Sequence, residues 1–370
     1  MSNIWLAKVE EIAAAIEARA EECDATDAFV AESYRLLAEQ GLFKALLPSE
    51  FGGGGATISE VCLAIRRLGQ SCGSTALAFS MHSHLVAVAA WRWRHQKAPT
   101  EGLLRKVGED DAILVSSGGS DWLPSGGTAV KVEGGYRVTA VKPFSSGSPV
   151  ANILGTSAVY DDPEAGPTVL HFPVPLDAEG VTIKDNWRVL GMRGTGSNDI
   201  ELKEVFIPDA AITERRPQGK WHILFHIISM IAFPLIYSAY VGVAEEARLH
   251  ALAAVGKRPE SEAAAILAGE MENAFAETEL AHARMMWLAD NAEPGPGTTS
   301  AAMVCRTLAG NAAIATVEKA MEMVGGGGFY RKLGLERAFR DIQAARFHPL
   351  QAKQQQRFTG RLALGWAIDG

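Results

Sequence analysis

The sequence predicts an α+β chain in three blocks: helical, then β, then helical. Three observations carry that expectation. Residues 1–110 place apolar side chains at helical spacing. Between 111 and 212 the chain breaks into short β-branched runs split by Gly, Pro and Asp, and from 213 to 370 helical spacing returns. A length of 370 residues suits two or three domains and a large core.

In the first block "LAKVEEIAAAIEARAEE" has the helical period. The segment Asp27 to Gln40 predicts a second helix stopped by Gly41, because glycine takes the left-handed cap conformation without a Cβ clash. A Gly-rich loop, "LLPSEFGGGGATISE", follows, with Thr57 or Ser59 placed to cap the next helix. The run from Ile58 to Trp93 reads as two helices broken at Ser71–Gly73. In the second block "AILVSSGGS", "TAVKVEGGYRVTAVKPFSS", "ANILGTSAVY", "TVLHFPVPL", "GVTIKD" and "NDIELKEVFIP" predict a compact barrel or sandwich of about 100 residues. Within it "VEGGYRV" predicts a hairpin turning at Gly134-Gly135. In the third block "PGPG" at 294–297 separates two long helices.

A net charge of -8 and a pI near 5.7 leave no basic surplus for phosphates, which excludes a general nucleic-acid binder. "WRWRHQ", Trp91 to Gln96, is accordingly read as a helix end with Trp on the core and Arg on solvent, not as a stacking platform. The cysteines, Cys23, Cys62, Cys72 and Cys305, form no C-x-x-C pair and have no neighbouring His pair, so reduced buried thiols and no metal site are expected. The N-terminus is a charged amphipathic helix without an apolar signal core, and a cytoplasmic protein is expected. Trp221 to Ala244 is apolar enough to span a bilayer. It nevertheless carries His222, His226 and Pro234 and runs straight into charged helix, so it is read as the buried centre of a bundle.

Three segments in register resemble the acyl-CoA dehydrogenase superfamily of FAD flavoproteins: "AEQGLFKALLPSEFGGGG", "VLGMRGTGSNDIELKEVFIP" and "VGGGGFYRKLGLERAFRD". The resemblance implies an N-terminal helical domain (1–110), a central β-barrel or sandwich domain (111–212) and a C-terminal four-helix bundle (213–370). It also implies FAD between the last two domains, and a homodimer or homotetramer. By the same resemblance "KPFSSG" puts Phe144 beside the flavin ring and Ser145 and Ser146 at its polar edge, where a buried heterocycle needs partners. Ser120, in "SSGGSD", aligns with a phosphate or flavin-side contact. Gly325, Gly326, Gly327 and Gly328 match the stretch that approaches the FAD diphosphate or adenine, where glycine permits close backbone approach.

The catalytic glutamate of the dehydrogenases is missing. One family position for it falls on Pro349, beside His348, and the other, eight residues before Pro234, falls on His226. Dehydrogenation of an acyl thioester needs a base for the Cα proton, and imidazole titrates near neutrality, so His348 and His226 are candidate bases. A second branch of the superfamily lacks the glutamate: monooxygenases that take reduced FMN or FAD from a partner reductase. This chain is similar to them in "FSSG", in His348, and in the early-helix "SMHSHLV" with His82 and His84. The resemblance thus implies an FAD-dependent oxidoreductase acting on a small molecule. Acyl-CoA dehydrogenation with an atypical base and an electron acceptor is its first reading, and reduced-flavin monooxygenation the alternative. A non-catalytic member of the fold is a third.

Overall fold

The computed structural model describes residues 3–117, 119 and 121–369. The first block is helical: α1 (Ile4–Thr26), α2 (Ala31–Glu39), α3 (Ile58–Ser71), α4 (Gly73–Gln96) and α5 (Glu101–Glu109). Asn3 opens α1 by accepting from the amides of Trp5 and Leu6. At α3 the Thr57 hydroxyl accepts from the Glu60 amide while the Glu60 carboxylate accepts from the Thr57 amide, a reciprocal cap. The expected break before α4 is the single residue Cys72, whose extended backbone (φ -158°) redirects the chain.

The β block has eight strands: β1 (Leu114–Ser116), β2 (Thr128–Val132), β3 (Gly135–Lys142), β4 (Ile153–Asp162), β5 (Gly166–Pro175), β6 (Val181–Ile183), β7 (Ile200–Pro208) and β8 (Glu214–Pro217). They form one sheet in the order β6-β7-β3-β2-β4-β5-β8, with β1 parallel to β4 so that Ser116 lies beside Gly155. The β2–β3 turn is Glu133-Gly134, one residue earlier than the sequence suggests. Gly135 already pairs with Val132, and Gly134 supplies the positive φ of +73°. Inward residues of the sheet make their own apolar cluster, separate from the helical core. On β3 the two-residue period that buries Tyr136, Val138 and Ala140 also buries Lys142. A lysine there requires a buried partner.

The third block holds α6 (Ile223–Val255), α7 (Glu262–Asn291), α8 (Pro296–Val324), α9 (Leu335–Ile342) and α10 (Ala352–Ala363). Three long helices make most of the bundle, and the shorter α10 packs on α8 as the fourth member. The apolar stretch that begins near Trp221 is α6, and 94% of its most apolar window is buried. It touches α3, α4, α7 and α8, which is why it carries no charged residue as far as Ala244. Its crossing with α3 is made at Gly69 and Gly242, where a methyl on either glycine would overlap the facing helix backbone. Pro234 sits inside α6; its carbonyl accepts from the Ser238 hydroxyl (2.7 Å) and from His282 Nε2 (3.0 Å).

Candidate active site

A cavity of about 850 Å³ lies where the three blocks meet, walled by α4, α5, β1, β4, β5 and the first turn of α6. Leu85, Val88, Ile153, Phe172, Phe225 and Ile228 give it an apolar lining. A second cavity of about 410 Å³ is bounded by Trp122, Trp221, the 347–350 loop and the start of α10. Trp122 borders both. Its ring packs on Phe225 (4.8 Å between centroids), and its Nε1–H is buried with no acceptor among the described residues.

Three histidines near these cavities are in defined chemical states. His84, on α4, lines the main cavity and donates from Nδ1 to the Ser80 carbonyl (3.2 Å), which leaves Nε2 as an acceptor. Burial lowers its pKa to about 4. His348 is partly buried; burial first, then Arg306 and His84, lower its pKa to about 3. The Tyr240 hydroxyl lies 2.5 Å from His348 Nε2, and burial holds that phenol protonated well above its ordinary range. Tyr240 therefore donates, and the proton of neutral His348 sits on Nδ1. Arg306 fastens the loop by donating to the carbonyls of His348 (2.6 Å) and Ala345 (3.3 Å). His82 spans α4 and β1: it donates to the Phe43 carbonyl (2.8 Å) and accepts from the Leu114 amide (3.0 Å).

The structure brings His84 and His348 within electrostatic range of each other. His226 stands apart. It stacks on Trp221 (5.3 Å, 12°) and bonds Thr299 Oγ1 (2.8 Å). It lies fourteen residues before Tyr240 on α6, about 21 Å along a helix axis.

The β-side wall holds residues the sequence reading did not single out. Lys142, buried, reaches both Asp121 oxygens (2.8 Å each) and the carbonyls of Gly126 (2.7 Å) and Ser157 (2.6 Å). Arg216 on β8 is also buried; it donates to His171 Nε2 (3.0 Å) and to the carbonyls of Leu123 (2.6 Å) and Trp122 (2.9 Å). Arg92 is 6% exposed and pairs with Glu214 (2.8 Å), whereas the sequence reading put the arginines of this helix end on solvent. The signal for the first two was present: Lys142 falls on an inward β3 position, and His171 interrupts the apolar run "TVLHFPVPL". Their partners lie 21 and 45 residues away in sequence, which no local pattern reports.

The residues expected to hold a flavin are distributed as follows. Phe144 is 58% exposed at a backbone φ of +62° and meets Trp187 edge-on at 6.1 Å. Such a φ costs a residue with a Cβ about 1–2 kcal/mol. Ser145 is buried and bonds the Lys142 carbonyl (3.2 Å). The Ser146 hydroxyl is buried in a chain through Ser197 (2.7 Å) and Thr195 (2.7 Å) to the Met192 carbonyl (2.9 Å). Gly325–Gly328 form a turn after α8 in which Gly325–Gly327 are exposed and Gly328 is buried, and a Cβ on Gly325 or Gly326 would meet open space. Ser120 lies outside the described residues. A flat heterocycle with acceptor atoms fits the Trp122 wall: an aromatic surface, a buried N–H lacking an acceptor, and at Gly119 a backbone where a Cβ would meet nothing within 4 Å.

Sequence models of the acyl-CoA dehydrogenase N-terminal, middle and C-terminal domains match residues 5–110, 116–205 and 234–348. The chain is 28% identical to YdbM of Bacillus subtilis (strain 168), a protein assigned as an acyl-CoA dehydrogenase, over 93% of this chain and 92% of that one. It is likewise 28% identical to L-evernosamine nitrososynthase of a Micromonospora species, over 90% of this chain and 83% of that one. Among solved structures, KijD3 in complex with FMN and a dTDP-linked amino keto sugar superposes with a TM-score of 0.91 at 26% identity. That match covers 99% of this chain and 94% of that one.

Proposed function

Because the chain belongs to the acyl-CoA dehydrogenase family, a family of flavoenzymes, we propose that it is a reduced-flavin-dependent monooxygenase that works with a separate flavin reductase on a small molecule. The observation that carries this reading is the state of the histidines. A dehydrogenase must remove a Cα proton, and a base for that step needs a free lone pair and a pKa matched to the task. His348 has Nε2 occupied by Tyr240 and is held near pKa 3, and His84, whose Nε2 lone pair is free, is held by burial near pKa 4. The acids of the two cavities are no better placed. Asp121 is taken by Lys142, Asp369 accepts from the Trp221 amide (2.7 Å), and Asp110 and Asp177 are exposed. A nitrososynthase and an FMN-bound solved relative of the same fold support the same reading.

Reduced flavin, when bound, supplies the two electrons that split dioxygen between the substrate and water. The chain supplies the rest. The apolar wall of Leu85, Val88, Phe172, Phe225 and Ile228 excludes water. His348 Nδ1–H is a donor fixed by Tyr240, and Trp122 Nε1–H is a second. His84 Nε2 is an acceptor for an N–H or O–H proton of the substrate. His84 lines the main cavity, and His348 lies within electrostatic range of it.

The test is oxygenation of candidate small molecules under labelled dioxygen, with a reductase regenerating reduced flavin; one labelled oxygen atom in a product is the expected result. The whole-chain likeness to YdbM supports a second reading, acyl-CoA dehydrogenation. Bleaching of the bound flavin by an acyl-CoA thioester under anaerobic conditions would establish that reading and overturn the first.

A further inference from the structure

The charges around the main cavity do not cancel. Arg92 pairs with Glu214, and Lys142 takes both oxygens of Asp121. Arg216, 1% exposed, is left with neutral acceptors: two carbonyls, the His171 imidazole, and the Phe225 ring at 4.5 Å beneath its guanidinium. Those contacts give each of its three nitrogens an acceptor and leave its charge uncompensated, an arrangement that burial makes costly. Burial brings the Arg216 pKa down to about 10, and Asp121, the acid that acts against this, is already engaged. At the mouth, Asp110 lies 3.8 Å from Lys106 and Asp177 is exposed. Solvent screens such rim charges far more than it screens a buried guanidinium.

His171 carries that charge to the cavity. Arginine can only donate, so His171 Nε2 is the acceptor and its proton is on Nδ1. Burial, Arg216, Arg92, His222 and Lys142 all lower the pKa of His171, in that order, so the ring stays neutral. Its Nδ1–H bonds nothing among the described residues, and the residue lines the cavity.

We propose that the main cavity binds an organic anion, with the Nδ1–H of His171, backed by Arg216, receiving an anionic oxygen of the substrate while the apolar wall receives its body. The inference rests on reading this cavity as the substrate site, and it deepens the proposed function by naming the substrate class. His84 and Trp122, on the same cavity, then face the uncharged part of the molecule.

Binding tests this without turnover, so a failed oxygenation assay would leave it standing. The flavin-loaded protein is titrated calorimetrically with 2-naphthoate and with 2-naphthamide, which share a shape and differ in charge. The naphthoate is expected to bind at least tenfold more tightly, as for a hydrogen bond to a charged group. His171→Leu should bring that ratio close to one. His171→Gln should retain most of it, because the amide can accept from Arg216 and donate to the anion. This pair avoids the buried Arg216, whose replacement endangers folding, and near-ultraviolet circular dichroism verifies both variants. Equal affinities in the parent protein overturn the proposal, as does a naphthoate Kd weaker than about 1 mM or a ratio that His171→Leu leaves unchanged. Competition between naphthoate and free FMN also overturns it, because the anionic oxygen would then be the cofactor's phosphate.

Discussion

Acidification from pH 7.5 to 5.0 should remove a large part of this protein's folding stability. Burial holds His82, His84 and His282 near pKa 4 and His348 near 3, against an ordinary value of 6.5 in the unfolded chain. The folded state therefore binds fewer protons than the unfolded one. Its stability is full above pH 6.5 and is lost as the pH falls through the window from 6.5 to about 4. At pH 5.0 each imidazole accounts for about 2 kcal/mol of loss, so the four sum to about 8 kcal/mol. Asp341, which burial pushes up to about 6, has the opposite sign and returns about 1 kcal/mol over the same interval. A domain-sized protein has only about 5–15 kcal/mol in total. Urea unfolding followed by far-ultraviolet circular dichroism at constant ionic strength should show the midpoint falling by at least a third, most steeply between pH 6.5 and 4.5. A midpoint that is flat or higher at pH 5.0 would mean that these imidazoles titrate normally. The donor and acceptor assignments at His84 and His348 would then fail.

Further outcomes are expected at the site and in the core. His348→Ala should lower turnover at least tenfold, the lower range for a group that handles a proton, and unchanged turnover would remove His348 from the mechanism. Tyr240→Phe removes the donor at His348 Nε2 and should raise the His348 pKa, visible as an upfield-to-downfield ring titration by NMR at higher pH than in the parent; an unmoved titration contradicts the hydrogen bond. Lys142→Met strands the Asp121 charge and should cost about 3–5 kcal/mol in urea unfolding, whereas Asp121→Leu combined with Lys142→Met should recover part of it. Gly242→Ala drives a methyl into the Arg66 carbonyl on α3 and should cost at least about 1–3 kcal/mol; a neutral effect would show that the crossing relaxes easily.

What the sequence made legible was periodic. Helices α3, α4 and α6 and the hairpin strands β2 and β3 each follow from spacing, caps and turn residues within a few positions. The apolar stretch of α6 was readable as a bundle centre because its histidines and proline suit a protein interior, where Thr299, Ser238 and His282 meet them. The turn at Glu133-Gly134 was displaced by one residue because either of two adjacent glycines satisfies the local rule, and only the register with β3 decides. The site was harder. His84 and His348 were found as residue types, but their tautomers depend on Ser80 and Tyr240, and Tyr240 is 108 residues from His348. Arg216 and His171 belong to strands that pair only through the folded sheet, so nothing near either residue announces the other.

The main cavity has one further property. Its walls come from α4 and α5, from β1, β4 and β5, and from α6, so no single block of the chain encloses it. A molecule seated there is a keystone: it touches all three blocks at once and is released when any of them moves away. Occupancy then stabilises the whole assembly by RT ln(1 + [L]/Kd), about 2.7 kcal/mol at a hundredfold excess over Kd. The melting temperature of the protein becomes a gauge of its ligand, and screening small molecules by thermal shift can find the substrate before any reaction is known.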